Sequence, residues 1–177
     1  MGSIPLLTLL HSSLTAGYSF FIPDLIGGRE GSKADEELYL RWVQACTYMP
    51  AMQFATPPWD YSSNVSDIVD FHAALHIEYA HKVLNLARLR VTVGTPILRP
   101  MWYRWPDDAK TYAIEDQFMV GDDLLVAPVL EEGAKQRKVY LPKGEWIDHR
   151  GVFYNGPLRL LVKAPIDVLP RFKLHMA

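Results

Sequence analysis

The chain has 177 residues, of which 49% are hydrophobic and 21% charged, so its composition is that of a globular protein. Eighteen Lys and Arg against 20 Asp and Glu leave a formal charge of −2, which provides no basic surface for nucleic-acid binding. The length suits one ordinary domain or two small ones and falls short of the roughly 250 residues of a complete (β/α)8 barrel.

The first 23 residues contain no Asp, Glu, Lys or Arg, which raises the question of a targeting or membrane segment. A secretory signal would begin with cationic residues, which are lacking, and His11 and Gly17 interrupt a membrane span. We therefore expect no membrane segment in this chain, and a buried helix over residues 4–15 followed by a buried strand. The single cysteine, Cys46, excludes an internal disulfide and is expected to be a small buried apolar residue.

Helix and strand patterns alternate through the first half of the chain. Helical spacing predicts three helices, over residues 4–15, from Asp35 to Met49, and from about Ser66 to Val93. Gly17 is the expected end of the first helix and Gly94 of the third. Short apolar runs predict strands over residues 18–22 and 51–55. This alternation is typical of parallel α/β structure.

Short apolar runs separated by turn residues replace the helical spacing after Pro96. Six strands are predicted, over residues 97–105, 123–129, 138–141, 145–147, 151–154 and 158–163. The expected class is thus α/β plus β: the C-terminal portion of a TIM (β/α)8 barrel followed by an antiparallel β-sandwich. We expect residues 1–98 to form the barrel end, with its last two strands and helices, and residues 99–177 to form the sandwich.

Barrel active sites lie where strands end, which singles out Asp24 after the first strand and Trp59-Asp60 after the second. A carboxylate there can hold a sugar hydroxyl, and an aromatic ring can stack on a sugar face. The structural alternative is that Asp24 caps a turn and Trp59 packs against the next helix. His72 and His76 have the i, i+4 spacing of metal ligands, but a solvated or capping role is favoured, so no metal site is expected. No phosphate loop, dinucleotide fingerprint or other cofactor motif is present, and no cofactor is expected.

Several ordered blocks along nearly the whole chain resemble those of one enzyme family. Residues 23–28 read Pro-Asp-Leu-Ile-Gly-Gly, residues 37–44 read Glu-Leu-Tyr-Leu-Arg-Trp-Val-Gln, and residues 49–52 read Met-Pro-Ala-Met. They resemble the Asp-Ile-Gly-Gly-Phe, Glu-Leu-x-x-Arg-Trp-x-Gln and Pro-Phe-Met blocks of glycoside hydrolase family 31. Residues 94–100, 116–129 and 139–148 look like that family's barrel exit and the β-sandwich that follows.

Residues 51–60 depart from the usual pattern of that family. The usual glucosidase pattern of the family reads Met-Arg-Asn-His, and Ala55 stands in this chain where that pattern has its histidine. Gly28 occupies the position at which the family has an aromatic residue after its glycine pair. The block resembles most the branch that contains the myogenesis-regulating glycosidase. This branch resemblance implies an α-galactoside preference at least as strongly as an α-glucoside one. It also implies the secretory pathway, at endoplasmic reticulum or Golgi membranes or outside the cell, and the glycosylation pattern at Asn64 is compatible with that location.

The resemblance implies a retaining α-glycosidase that acts on α-linked carbohydrates through two aspartates. Both lie on earlier barrel strands in the family, so we expect no catalytic residue in this chain and no activity of the chain alone. Asp24 matches the aspartate of the Gly-Gly block, which lies near the sugar and helps to order the site. The alternative is a non-catalytic carbohydrate- or protein-binding regulatory protein of the same fold. Because part of a barrel leaves strand edges and apolar faces uncovered, we expect poor solubility or oligomers.

Overall fold

A computed structural model of the chain describes Tyr18, Phe20, residues 22–28 and residues 33–175. The helices are α1 (Glu36–Cys46), α2 (Ser63–Val93) and α3 (Met101–Arg104), with 3-10 turns at Pro58–Asp60 and Ala109–Thr111. The strands are β1 (Leu98–Pro100), β2 (Phe118–Val120), β3 (Leu124–Val126), β4 (Gln136–Asp148), β5 (Phe153–Lys163) and β6 (Arg171–His175). The predicted helix over residues 4–15 and its end at Gly17 lie outside the described residues.

Local capping defines the two long helices. The Asp35 carboxylate accepts a hydrogen bond from the Leu38 amide at 2.9 Å, so α1 begins where the sequence predicts. α2 ends at Gly94, whose φ of +78° is the left-handed conformation that a helix C-cap glycine favours. Both predictions are confirmed, although α1 ends at Cys46 and not at Met49.

Among the described residues of the helical part, parallel pairing consists of one bridge between Ile26 and Phe54. The Ile26 amide donates to the Gln53 carbonyl at 2.8 Å, and the Ala55 amide donates to the Ile26 carbonyl at 2.9 Å. The prediction of a strand over residues 51–55 is therefore wrong beyond this bridge, and Tyr18, Phe20 and Ile22 of the other predicted strand are in no strand. A parallel strand is built from hydrogen bonds to neighbouring strands, and of the described residues in these two segments only Ile26 and Phe54 have such a neighbour.

The second half of the chain forms one six-stranded antiparallel sheet with the order β1-β2-β3-β6-β4-β5. The four predicted strands between residues 138 and 163 are in fact two long strands, because β4 continues through a bulge between Leu141 and Gly144. Of the predicted strand 97–105, only Leu98–Pro100 is a strand, and α3 follows it directly. β2 and β6 lie outside the six predicted strands.

Alternate residues of the central strands divide the core into two clusters. Phe118 and Val120 of β2 join α1, α2 and β1 in the first cluster, so the helices cover one face of the sheet. Met119 faces the opposite way and joins a second cluster around Trp146 and Phe172, which come from β4 and β6. Residues from separate parts of the sheet thus share one interior, as in a β-sandwich.

Candidate functional site

The Ile26–Phe54 bridge brings together the two loops that carry the predicted site residues. Asp24 lies two residues before Ile26, and Trp59 follows Phe54 by five residues. Gly27, at a φ of +98°, packs so closely against Thr56 that a Cβ atom on Gly27 would lie 2.9 Å from the Thr56 Cβ atom. Only glycine fits this approach without displacing Thr56, so the Gly-Gly block joins the two loops.

Asp24 is exposed, and its Oδ1 atom accepts a hydrogen bond from the Leu25 amide at 3.0 Å. Its carboxylate lies near the C-terminal end of α1, where the single cysteine is buried. Burial first, and then the charge of Asp24, raises the pKa of the Cys46 thiol to about 12. Cys46 is therefore a buried neutral thiol, as the sequence predicts.

Trp59 and Asp60 are presented by the 3-10 turn Pro58–Asp60 at the surface. The Trp59 side chain is 77% exposed, so the alternative of a ring packed on the next helix is wrong. Lys33 Nζ donates to the Asp60 carbonyl oxygen at 2.5 Å, whereas the Asp60 carboxylate has no hydrogen-bond or ion-pair partner in the described part of the chain. An exposed ring beside an open carboxylate has the chemical groups that a sugar-binding surface uses.

Two tyrosines, Tyr39 of α1 and Tyr61 directly after the turn, connect this turn to α1 and to the segment before it. The Tyr39 hydroxyl donates to the Thr56 carbonyl at 2.8 Å, and its ring contacts that of Tyr61 at a centroid distance of 4.3 Å. The Tyr61 hydroxyl donates to the Ala34 carbonyl at 2.9 Å. Burial first, then the charges of Tyr61 and Asp60, raise the pKa of Tyr39 to about 12, so its hydroxyl stays a donor.

The two departures from the family pattern both lie in these loops. Gly28 has a φ of +96°, a backbone conformation that an aromatic residue rarely adopts. The Ala55 amide donates to the Ile26 carbonyl in the bridge, and the Ala55 side chain is only a methyl group. Neither residue has a polar or aromatic side chain.

His72 is fully buried, which corrects the expectation of a solvated side chain. The Thr47 hydroxyl donates to the Val43 carbonyl at 2.9 Å and therefore accepts from His72 Nδ1 at 3.0 Å. His76 Nδ1 donates to the Thr47 carbonyl at 3.0 Å, so both histidines contact the C-terminal end of α1, in line with the capping alternative. Burial first, and then the charge of Arg171, lowers the pKa of His72 to about 4. Across the described residues, no three His, Cys, Asp or Glu side chains are grouped as a metal site.

Other features lie away from these loops. Asn64 is exposed in the first turn of α2. A groove of about 920 Å³ on the sheet is lined by Gln117, Tyr140 and Arg159, among others, and contains none of the three predicted sugar-contacting residues. No helix in the described part of the chain is long and apolar enough to span a membrane.

Two buried polar residues of α1, Arg41 and Gln44, are functional candidates that sequence reasoning missed. The available signal was their presence, at i and i+3, on a helix with apolar neighbours such as Leu40 and Val43. Long polar side chains on a buried helical face must find hydrogen-bond partners elsewhere in the fold.

Comparison with known proteins identifies the family. Residues 94–175 match the family model described as the glycosyl hydrolase family 31 C-terminal domain. The myogenesis-regulating glycosidase of Mus musculus is 41% identical over 163 residues, which are 86% of this chain and 23% of that protein. The chain belongs to glycoside hydrolase family 31. The resemblance to the family and to this branch is confirmed.

Two further relatives of this family 31 chain extend the comparison. The SITS-binding protein of Tetronarce californica is 42% identical over 165 residues, covering 89% of this chain and 23% of that protein. The crystal structure of a Flavobacterium johnsoniae family 31 dextranase complexed with glucose matches with a TM-score of 0.82 and 31% identity, over 98% of this chain and 23% of the dextranase. The predicted fold class is thereby confirmed. The chain spans about a quarter of the length of these relatives.

Proposed function

We propose that these 177 residues contribute to a retaining α-glycosidase and form part of the rim of its sugar-binding site. The observation that carries the proposal is the Ile26–Phe54 bridge, which places the loop of Asp24 beside the loop of Trp59 and Asp60 in a chain of family 31. Trp59 would stack on a sugar face, and the two carboxylates would accept hydrogen bonds from sugar hydroxyls.

The chemistry of a retaining glycosidase requires two carboxyl groups about 5–5.5 Å apart, one as nucleophile and one as acid and then base. We assign neither role to Asp24 or Asp60. The family resemblance implies that both catalytic aspartates belong to earlier barrel strands than those matched here, so the chain alone would not turn over a glycoside. Its share of the reaction is to bind and orient the sugar.

The substrate class that we propose is an α-galactoside or an α-glucoside. Ala55 and Gly28 remove two groups with which the usual glucosidase pattern contacts its sugar, and the Mus musculus relative belongs to the branch in which we expect galactoside preference. A site built to hydrogen-bond one sugar hydroxyl discriminates against a sugar in which that hydroxyl points elsewhere, so removal of such groups changes the discrimination. We therefore expect the two sugars to bind with different affinity.

The division of the chain at residue 98 and its location in the cell are also proposals. The family model begins at residue 94, directly after the last helical residue of α2, which supports a division near that point.

Exposure of Asn64 supports glycosylation in the secretory pathway. An α-linked carbohydrate remains the proposed partner, and nucleic acid does not, because the formal charge is only −2.

A second candidate function is binding without catalysis. It is favoured by the likeness to a relative that is named for binding and is 42% identical to this chain. In this case the Trp59 surface would hold a carbohydrate or protein ligand, and the full gene product would show affinity without turnover.

The deciding experiment measures hydrolysis of nitrophenyl α-galactoside and nitrophenyl α-glucoside by the 177-residue chain and by the full gene product. We expect turnover only by the full product. Turnover by the chain alone that survives Asp24→Asn would contradict the proposal. Binding of a glycoside by the full product without any turnover would favour the second candidate. Sequencing of the transcript 5′ of Met1 provides a separate check, because a Trp-x-Asp-Met-Asn-like block and a Gly-Asp block there would supply the two aspartates.

A further inference from the structure

α1 has two different buried faces. Glu37, Arg41 and Gln44 lie at i, i+4 and i+7 and so share one side of the helix, whereas Tyr39 lies roughly opposite them. The first side faces the sheet half of the chain, and Tyr39 faces the loop that carries the proposed sugar contacts. The helix therefore touches both regions through different residues.

Arg41 and Gln44 bind carbonyl groups of two turns in the sheet half. Arg41 Nη2 donates to the carbonyls of Ala134 and Ala164, both at 2.9 Å, and Arg41 Nη1 donates to the Pro165 carbonyl at 3.3 Å. Arg41 is 4% exposed. The planar guanidinium presents several donors in a fixed fork, so it satisfies three carbonyls that point to one place.

Gln44 completes this contact. Its Nε2 atom donates to the Ile166 carbonyl at 2.6 Å, and its Oε1 atom accepts from Arg41 Nη1 at 3.0 Å. The Glu37 carboxylate adds a bond from the Gly133 amide at 3.0 Å. Because Arg41 and Gln44 are buried, loss of either leaves carbonyl groups without a partner and without water, and the helix is held firmly on the sheet.

The opposite face of α1 holds the loop. Tyr39 donates to the Thr56 carbonyl at 2.8 Å, and Thr56 in turn contacts Gly27 of the Gly-Gly block. The tilted Tyr39–Tyr61 ring contact fixes the far end of the same loop, next to Trp59 and Asp60. A displacement of α1 would therefore move the residues on which a sugar would rest.

We propose that Arg41 and Gln44 are positioning residues, which hold α1 between the turns at 134 and 164–166 and the loop 56–61, and thereby fix Trp59 and Asp60. This inference rests on the proposed function, since it concerns the same sugar-binding rim. It gives the Arg-Trp-x-Gln part of the motif a physical role, because the sheet half then sets the geometry of a site that lies outside it.

The test compares Gln44→Met with Gln136→Met, a matched change of an exposed glutamine on the sheet. Amide hydrogen exchange is measured in the chain over residues 56–61 and over β2 and β3, and nitrophenyl α-galactoside affinity is measured in the full gene product. We expect Gln44→Met to speed exchange in the loop about tenfold and to weaken the affinity several-fold, with β2 and β3 unchanged. Gln136→Met should leave all three quantities unchanged.

Unchanged exchange in residues 56–61 of a folded Gln44→Met chain would overturn the positioning role. Should that variant fail to fold, Gln44→Asn, which keeps the amide but shortens its reach, is measured in the same way. Tyr39→Phe should reproduce the loop effect from the other face, whereas Tyr48→Phe, whose hydroxyl has no partner among the described residues, should not. A wild-type protein without affinity for the glycoside would contradict the proposed function, and the exchange data would still decide the positioning role.

Discussion

The sheet half and the helical half of this chain differ in how completely they bury their apolar residues. β2 and β3 are fully buried, and exposed apolar side chains such as Phe153 and Leu161 lie on the outer strand β5. In the helical half, large exposed apolar side chains occur on the segment before α1, at the bridge and along α2: Tyr18, Phe20, Ile22, Leu25, Phe54, Phe71, Ile77, Leu84, Leu89, Val91 and Val93.

The difference follows from the two kinds of β pairing. Antiparallel strands are joined by short turns, so each strand of the sheet finds its neighbour within the same part of the chain. Parallel strands require crossover connections and neighbours on both sides, and among the described residues only Ile26 and Phe54 pair in this way. The sheet thus pairs its own strands, whereas the described helical layer leaves apolar side chains exposed.

The largest expected effect is in the core of the sheet. Trp146 is fully buried, and its indole Nε1 donates to the Pro142 carbonyl at 2.8 Å. Trp146→Ala should lower the free energy of unfolding by about 3–5 kcal/mol, because it leaves a cavity and an unpaired carbonyl. Chemical denaturation monitored by circular dichroism measures it. Phe153→Ala, at a side chain that is 58% exposed, should cost well under about 1 kcal/mol, and equal losses would contradict the contrast between core and outer strand.

The next largest effect is an acid sensitivity of the helical half. The pKa of His72 is about 4 in the fold against an ordinary 6.5, so the unfolded chain binds the extra proton between these values. Stability is then complete above pH 6.5 and falls as the pH drops towards 4, by an amount on the order of 3 kcal/mol. Two groups face His72: the Thr47 hydroxyl, which accepts from Nδ1 in either protonation state, and Arg171, whose charge opposes the cation. The added proton would go to Nε2, which is buried without a hydrogen-bond partner among the described residues.

Thermal unfolding followed between about pH 7 and pH 4 measures this loss. His72→Gln should flatten the dependence, whereas His81→Gln, at an exposed position of the same helix, should retain it. Asp148 acts in a separate range: burial alone would raise its pKa, but bonds from Val152 and Arg150 lower it, so its contribution is lost only in stronger acid. An unchanged pH dependence in His72→Gln would show that another group governs acid stability.

Local signals predicted the helices better than the strands. Asp35 and Gly94 are capping residues whose effect is local, so the start of α1 and the end of α2 were predictable. β2 and β6 are short and are defined by their pairing: β2 lies between β1 and β3, and β6 lies between β3 and β4, which are distant from it in the sequence. The sequence predicts two strands in place of β4, because Pro142 and Gly144 are typical turn residues. In the structure they lie at a bulge within one continuous strand.

The sequence alone predicts where the candidate site residues lie along the chain, but not how their side chains are held in space. The sequence places Asp24 and Trp59 after strand-like segments, and the bridge brings their loops together. The role of Arg41 was beyond local reasoning, because its carbonyl partners lie 93 and 123 residues further along the chain. The burial of His72 likewise depends on how α2 packs against the end of α1, which the spacing of histidines does not reveal.

The smallest effect on stability, and the sharpest contrast between the halves, is expected for exposed apolar residues of α2. Replacement of Ile77 and Val91 by Gln should change the free energy of unfolding by less than about 0.5 kcal/mol, because both side chains are exposed. It should nevertheless shift the chain from oligomers towards monomer, since uncovered apolar surface drives association. Sedimentation velocity measures the change, and Val152→Gln, at an exposed apolar residue of the turn between β4 and β5, serves as the control. A wild-type chain that is a monodisperse monomer, or a control that dissociates the oligomers equally, would show that the helical half is not the associating surface.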